Sequence, residues 1–419
     1  MLDKRSDQLS AAPSPGYRLP GTIGFNEFIV LMAALTSIVA FSIDIILPAL
    51  ADIGSDYSLT DDNDRQLVIV AFTVSFGISQ LVFGPLADRF GRKRLMIGSL
   101  LFYACASFAA SFAPSFEFLL ATRVCQAIGA SGVRITTSSI IRDCFEGRDM
   151  ARVMSYIFTT FMVVPIFAPA LGQGIILMAE WHWIFTFLGI GSLLLCTWTY
   201  MKIGETLAPE HRRSLAIGSI ASAAVEIATN RVAAGYSLAS TLFFGALFSM
   251  VVSVQQIFDD IYGLGNLFAV AFAGVAVGMA IASFMNARLV RSIGMRRMSH
   301  GAMVSFVSVS FVMFVLALIG TPPFAVMFVL LALAMMSFGL VAGNFNSIAM
   351  QPLGHIAGTA TSLIGTLTFT GGAVLGGLVG QAFDGTVLPI STAFFSFGFG
   401  SLLIVFITER GKLFTVENG

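Results

Sequence analysis

The sequence predicts an all-α polytopic membrane protein, with twelve transmembrane helices arranged as two pseudo-symmetric six-helix bundles. Three observations predict it. The first is composition: 56% of the residues are hydrophobic, 11% are charged and mean hydropathy is +0.87. A soluble domain carries about 25% charged residues to cover its surface, so lipid must be the main solvent here. The second is a basic loop written twice, as Gly84-Pro-Leu-Ala-Asp-Arg-Phe-Gly-Arg-Lys-Arg94 and Ala287-Arg-Leu-Val-Arg-Ser-Ile-Gly-Met-Arg-Arg297. The copies lie about half the chain apart, each between long apolar runs. The third is an echo at similar spacing, Phe185-Thr-Phe-Leu-Gly-Ile-Gly-Ser-Leu-Leu-Leu195 against Phe394-Phe-Ser-Phe-Gly-Phe-Gly-Ser-Leu-Leu-Ile404. Such self-similarity in an apolar chain is the pattern of transporters built from repeated bundles around a shared path.

Taken in order, residues 1–27 are polar and Pro-containing, with no apolar core or small-residue cleavage site. They read as a cytoplasmic tail rather than a secretory signal. A span needs about 20 mostly apolar residues. The first bundle, 28–202, supplies six such runs at 28–50, 66–87, 95–113, 116–140, 153–178 and 182–202. A polar stretch, 203–234, follows as a cytoplasmic central loop with room for a surface-lying amphipathic segment. The second bundle, 235–408, supplies runs at 235–257, 266–286, 298–319, 324–348, 357–380 and 390–408, and 409–419 forms a second tail.

Lysine and arginine stay on the cytoplasmic side of a membrane. With the N-terminus inside, all 23 Lys and Arg fall there except Arg65, Arg123 and Arg134. Arg65 lies in an acidic outer loop with Asp52, Asp56, Asp61, Asp62 and Asp64. Both termini are therefore expected to be cytoplasmic.

A charge inside a span is expensive and marks a functional candidate. Asp44 lies about 9 Å below the outer surface and Arg123 about 10 Å, from the helical rise, so the two are expected to touch. An aspartate beside an arginine is held ionised, whereas one left alone in apolar surroundings favours its protonated form. A pair that opens and closes would couple to protons; a permanent pair would only fix helix packing. Arg134 lies eleven residues beyond Arg123, almost on the same helix face, and reads either as a cavity residue or as a partner for Asp143. Glu27 reads as an interfacial charge. Polar candidates to meet cargo are Gln80, Gln126, Gln255 and Gln256, with Asn344 and Asn346 in the second half. Their alternative role is hydrogen bonding between helices. Pro165, Pro169 and Gly172 interrupt the fifth run and predict a bend, while the glycines between Gly371 and Gly380 predict close helix packing.

Several classes are excluded. No phosphate-binding Gly-Lys-Ser/Thr loop or Gly-x-Ser-x-Gly elbow occurs, so neither ATP drive nor enzyme activity is expected. The four histidines show no ligand spacing and the four cysteines form no CxxC pair, so no metal or cofactor is expected. Zero net charge argues against nucleic acid.

The motifs resemble the major facilitator superfamily over about residues 28–408. Gly84, Asp88, Arg89, Gly91 and Arg92 match its loop between spans two and three. Arg123-Val-Cys-Gln126-Ala-Ile-Gly129 is similar to its span-four motif, departing from it at Ala127. Pro165-Ile-Phe-Ala-Pro169-Ala-Leu-Gly172 resembles the span-five motif of proton-driven antiporters, with Gln173 in place of a glycine. Ser42-Ile-Asp44-Ile-Ile-Leu-Pro48-Ala-Leu50, Trp181 to Phe185, Glu205 to Leu207 and Gly354 to Ala360 resemble the Bcr/CflA-type drug-resistance branch. The resemblance implies a proton-coupled exporter of small amphipathic molecules such as antibiotics, active as a monomer in a bacterial inner membrane. It implies that Asp44 and Arg123 line the cavity, and that the basic loops latch the halves together when the cavity faces outward. In the second copy Arg291 stands where the first has Asp88. Proton-coupled uptake of a metabolite, or a non-transporting membrane sensor, are the competing readings.

Overall fold

In lipid every backbone polar group must find its partner within the protein, so apolar runs of this length fold as helices. The computed structural model describes residues 19–207 and 217–414. It contains α1 (Phe25–Asp44), α2 (Leu50–Asp56), α3 (Leu67–Phe90), α4 (Arg92–Ser111), α5 (Phe116–Cys144), α6 (Gly147–Ile176) and α7 (His182–Lys202). After these come α8 (Ile217–Thr229), α9 (Arg231–Gln255), α10 (Phe268–Ile293), α11 (Met295–Ile319), α12 (Phe324–Met350), α13 (Ala357–Gln381) and α14 (Leu388–Thr408). All except α2 and α8 have at least 20 residues, about 30 Å of rise, which is enough to cross the hydrocarbon core. By composition alone nine stretches of the described residues are apolar enough to span, one of them holding both α12 and α13. Helix α5 is not among them. Its arginines, glutamine, serines and threonines need neighbouring helices to cover them.

Several boundaries differ from the sequence expectation: α6 begins six residues before 153 and α10 runs seven beyond 286, and two further differences have a clear local cause. The first apolar run continues to Leu50, yet α1 stops at Asp44 and a 3-10 turn over Leu47–Ala49 precedes α2. Pro48 has no N–H to donate and its ring collides with the carbonyl four residues back, that of Asp44. Helix α9 begins four residues before 235, because the Asn230 side chain accepts from the backbone N–H of Val232 (3.1 Å) and Ala233 (3.0 Å). Of the central loop, Glu210, His211, Arg212 and Arg213 lie outside the described residues.

Helices α1 and α3–α7 pack on one another, as do α9–α14; α3 along α13 and α6 along α10 join the two sets. Glycines set the closest approaches. On α13, Gly372, Gly376 and Gly380 face Phe244, Phe248 and Val252 of α9 at the same four-residue spacing, while Gly377 faces Val70 of α3. This is the close packing expected of small residues in lipid.

The duplicated loop is duplicated in backbone geometry. Gly91 joins α3 to α4 at φ 92° and ψ 155°, and Gly294 joins α10 to α11 at φ 91° and ψ 146°. Both angles lie in a region that favours glycine. Each turn is tied by a glutamate from just beyond the sixth long helix of its half. Glu205 accepts from the N–H of Arg92 (2.8 Å), and Glu409 accepts from Arg296 Nε (2.8 Å) and Tyr236 Oη (2.7 Å). Burial pushes the Glu409 carboxyl up, but the bonds from Arg296 and Tyr236 outweigh it and hold the group below the usual carboxylate range.

Two predictions follow from this packing. A Cβ on Gly376 would stand 2.6 Å from the Phe248 backbone, and overpacking of this kind costs about 1–3 kcal/mol. Gly376→Ala should lower the thermal unfolding midpoint in detergent, whereas Gly174→Ala, which meets nothing within 4 Å, should not. For Glu409, a folded value below the unfolded one means its contribution is complete above the unfolded carboxylate range and disappears as pH falls through the folded value. Glu409→Gln should therefore destabilise the protein at neutral pH by on the order of 1 kcal/mol. The gap in unfolding midpoint to the unaltered protein should narrow on acidification; a gap that widened instead would contradict the assignment.

Candidate functional site

Asp44 is the last residue of α1 and only 6% exposed. No hydrogen bond or ion pair reaches its carboxylate among the described residues. Its position follows from two local features. Pro48 ends the helix there, and Gly172 lets α6 close on the break, since a Cβ at Gly172 would strike the Ile45 carbonyl oxygen and stand 3.2 Å from the Pro48 ring. Helix α6 runs on through Pro165 and Pro169 as one element.

Arg123 does not pair with Asp44. It is completely buried in α5, where Nε donates to the Val68 carbonyl (3.0 Å), Nη1 to Gln126 Oε1 (2.8 Å) and Nη2 to the Ser42 carbonyl (2.8 Å). Its guanidinium lies 4.5 Å from the Phe72 ring centroid. Gln126 Nε2 donates to Ser107 Oγ (2.7 Å), and Ser107 donates to the Tyr103 carbonyl (2.8 Å). Tyr103 Oη lies 2.6 Å from Ser42 Oγ, which itself donates to the Ile38 carbonyl; the tyrosine must therefore donate to the serine. The chain of bonds closes on Ser42 and ties α1, α3, α4 and α5 together. The expected contact fails for a rotational reason. Asp44 is two residues from Ser42, about 200° around the helix, so a guanidinium held at the Ser42 carbonyl faces away from Asp44.

The other sequence candidates divide among different places. Arg134 is partly buried on α5 and engaged by neighbours. Gln80 on α3 faces Gly365 of α13, with its Nε2 buried and unpartnered. Asn344 ties α12 to α10 by donating to Asn286 Oδ1 (2.7 Å), while Asn346 is exposed. Glu27 accepts from Trp198 Nε1 (3.0 Å) and lies 3.5 Å from Lys202 Nζ, tying α1 to α7 near the basic loops.

Gln255 and Gln256 belong to a clasp at the end opposite the basic loops. There α9 passes into a π-helical turn, Gln256–Ile261. Gln256 Nε2 donates to Asn63 Oδ1 (2.6 Å), Asn63 Nδ2 donates to the Phe383 carbonyl (2.9 Å), and Gln381 Nε2 donates to the Asn63 carbonyl (2.9 Å). Arg65 forms an ion pair with Asp260. All of these bonds cross between the halves. Around them, both amide atoms of Gln66, Oε1 of Gln255 and Gln256, and Oδ1 of Asp259 are buried without a partner. Sequence reasoning marked Arg65 and the glutamines but not their pairing, and missed Asn63, Asp260 and Gln381.

At the basic end, Asp88 pairs with Arg92 (2.6 Å), and Arg92 Nε reaches Asp143 (3.1 Å). Thr206 Oγ1 also donates to Asp143 (2.8 Å). A side chain on Gly91 would meet the Glu205 carboxylate, and Gly84 lies against Ser362 of α13. Arg89 is exposed. Asp143 and Glu205 add two carboxylates to a first loop that the sequence motif only half described.

Comparisons with known proteins agree with this architecture. A family model described as Major Facilitator Superfamily matches residues 32–377. The chain is 28% identical over 366 residues to a bicyclomycin resistance protein homologue of Haemophilus influenzae, covering 87% of this chain and 91% of that one. It is 27% identical over 372 residues to a chloramphenicol resistance protein of Pseudomonas aeruginosa, covering 87% and 85%. Among solved structures, a bacterial homologue of the human lysosomal transporter Spinster, inward-facing and occupied, superposes with a TM-score of 0.71 at 14% identity, covering 92% and 96%. A peptide transporter in complex with sulfate gives 0.74 at 13% identity, covering 94% and 96%; at such identities the likeness concerns the fold. A multi-pass membrane protein with this duplicated architecture, this loop and these relatives belongs to the Major Facilitator Superfamily, a family of small-molecule transporters.

Proposed function

We propose that the protein is a proton-coupled exporter of small amphipathic molecules such as antibiotics, working as a monomer by alternating access in a bacterial inner membrane with both termini cytoplasmic. The observation that carries this reading is Asp44: a buried carboxylate with no counter-charge among the described residues, at a break in the first helix. An ionised carboxylate in such a place is costly, and a bound proton removes the cost. In the conformation observed Arg123 is withdrawn into its own ring, which leaves Asp44 to the proton. Rotation of the segment at the Pro48 break would exchange that proton for a contact with Arg123 or with cargo. The resistance-protein names of the relatives support the cargo class.

The clasp supplies the second part of the reading. Polar bonds across the seam hold the end opposite the basic loops shut, which supports reading the path as facing the basic end. The unpartnered amide atoms, both of Gln66 and the oxygens of Gln255 and Gln256, each cost about 1–3 kcal/mol while buried. Opening the seam hydrates them, so the closed state is held by the clasp against an opposing cost.

In inverted vesicles loaded with a pH-sensitive dye, addition of a transported antibiotic should release protons from the unaltered protein and not from Asp44→Asn. Full coupled transport by Asp44→Asn would overturn the proton role, and drug accumulation in cells rather than expulsion would favour uptake. For the clasp, Asp260→Asn should weaken the hydrogen bond to Arg65 by about 1.5–3 kcal/mol, moving the equilibrium roughly tenfold or more towards the other state. A cysteine placed at Ser253 should then react correspondingly faster with an impermeant maleimide added from the outer side. Unchanged labelling would show that the clasp does not gate the path.

A further inference from the structure

The two copies of the basic loop share one backbone geometry but not one charge balance. In the first copy Arg92 meets Asp88 and Asp143 through its side chain and Glu205 through its N–H. In the second, with Gly294 aligned on Gly91, Arg288 and Arg291 stand where the first copy has Pro85 and Asp88. Glu409 is taken by Arg296, and Arg297 donates to the Phe414 carbonyl (3.2 Å). Arg288 and Arg291 are exposed, and no carboxylate partners them among the described residues. A Cβ on Gly294 would meet nothing within 4 Å, so the second loop is open where the first is closed by Glu205.

These two arginines also end an apolar stripe. Val270, Val277, Ile281 and Phe284 are exposed along α10, and at about 100° per residue they share a face with Arg288 and Arg291. The Arg288 guanidinium lies 4.3 Å from the Phe284 ring centroid, at the step from apolar to charged. An apolar exposed stripe that finishes in two uncompensated cations matches one kind of molecule: an acyl chain joined to an anionic headgroup.

We propose that this end of α10 is a binding site for an anionic phospholipid of the leaflet on the basic side, with its phosphate at Arg288 and Arg291 and a chain along Phe284 and Ile281. The bound headgroup supplies the negative charge that Asp88, Asp143 and Glu205 supply in the first copy. General attraction of arginine to the cytoplasmic surface would act equally on both copies; a site would not.

The test uses the full chain in nanodiscs of phosphatidylcholine with phosphatidylglycerol, followed by native mass spectrometry to count retained lipid. The unaltered protein should retain phosphatidylglycerol. The double variant Arg288→Gln/Arg291→Gln should lose that preference by roughly tenfold or more, from about 1 kcal/mol per arginine near an anionic surface. Arg89→Gln/Arg94→Gln, with the same change in net charge at the first loop, should retain it. Equal loss in both variants, or no loss in the first, would overturn the proposal. Displacement of phosphatidylglycerol by millimolar inorganic phosphate would also overturn it, since the phosphate alone would then be the ligand.

Discussion

The first half is organised around one buried cation. A guanidinium this deep in an apolar bundle is tolerated only if its N–H groups are satisfied, and Arg123 satisfies them with the Ser42 and Val68 carbonyls and Gln126. Those partners come from three different helices, so meeting the arginine's demand fixes how α1, α3 and α5 sit together. Gln126 must then be satisfied in turn, which recruits Ser107 of α4, and through it Tyr103 and Ser42. Close approach of α5 to α4 is possible because Gly129 and Gly132 lie directly against Tyr103 and Ser99. One desolvated charge thereby specifies the packing of four helices, and it leaves Asp44 out.

The seam between the halves leaves larger polar groups unsatisfied. Within the halves the buried atoms without partners are mostly single hydroxyls, such as those of Ser99, Ser131 and Ser310, whereas at the seam Gln66 and Gln80 keep amide atoms, and Thr366 and Thr370 hydroxyls, without partners among the described residues. A permanently closed interface would be expected to satisfy or remove such groups. An interface that opens to water in part of its cycle has a reason to keep them, because what is unpaired when shut is hydrated when open. The glycine contacts of Gly77 with Thr370 and Gly377 with Val70 let α3 and α13 lie close without large side chains interlocking, so separation requires little repacking.

What could be read from the chain alone follows from what hydropathy reports. Runs of apolar residues give the number of the helices, and among the described residues twelve long helices match the twelve runs. They do not give rotation about the helix axis. The helical rise sets Asp44 and Arg123 at similar depth and suggests a contact, yet the Ser42 carbonyl takes the arginine. The break at Asp44 was hidden because the run stays apolar through Leu50, although Pro48 marked it. The clasp was illegible for another reason: Asn63 and Gln381, or Arg65 and Asp260, are far apart in sequence and carry no local pattern. The Gly91 and Gly294 turns were legible because a conformation restricted to glycine leaves its mark on the chain.

Duplication explains the scaffold and divergence explains the chemistry. Two turns with nearly the same φ and ψ show that the backbone of the repeat persists. The Phe-x-x-x-Gly-x-Gly-Ser echo persists as packing: Gly189 lies against Phe108 and Gly398 against Phe306, while Ser192 and Ser401 each donate to a carbonyl of a neighbouring helix. The charges did not persist. Asp44, Arg123 and Arg134 have no counterpart at similar depth in the second half, and Asp88 faces Arg291. A symmetric pair of charged sites would bury two sets of costly groups in the membrane instead of one. Keeping the charge in one half leaves the other free to carry the aromatic contacts of Phe244, Phe248 and Phe369, of which Phe369 meets Phe76 of the first half at 5.5 Å. Apolar ring contacts of this kind re-form after sliding more readily than ion pairs, because they have no hydrogen-bond direction to restore.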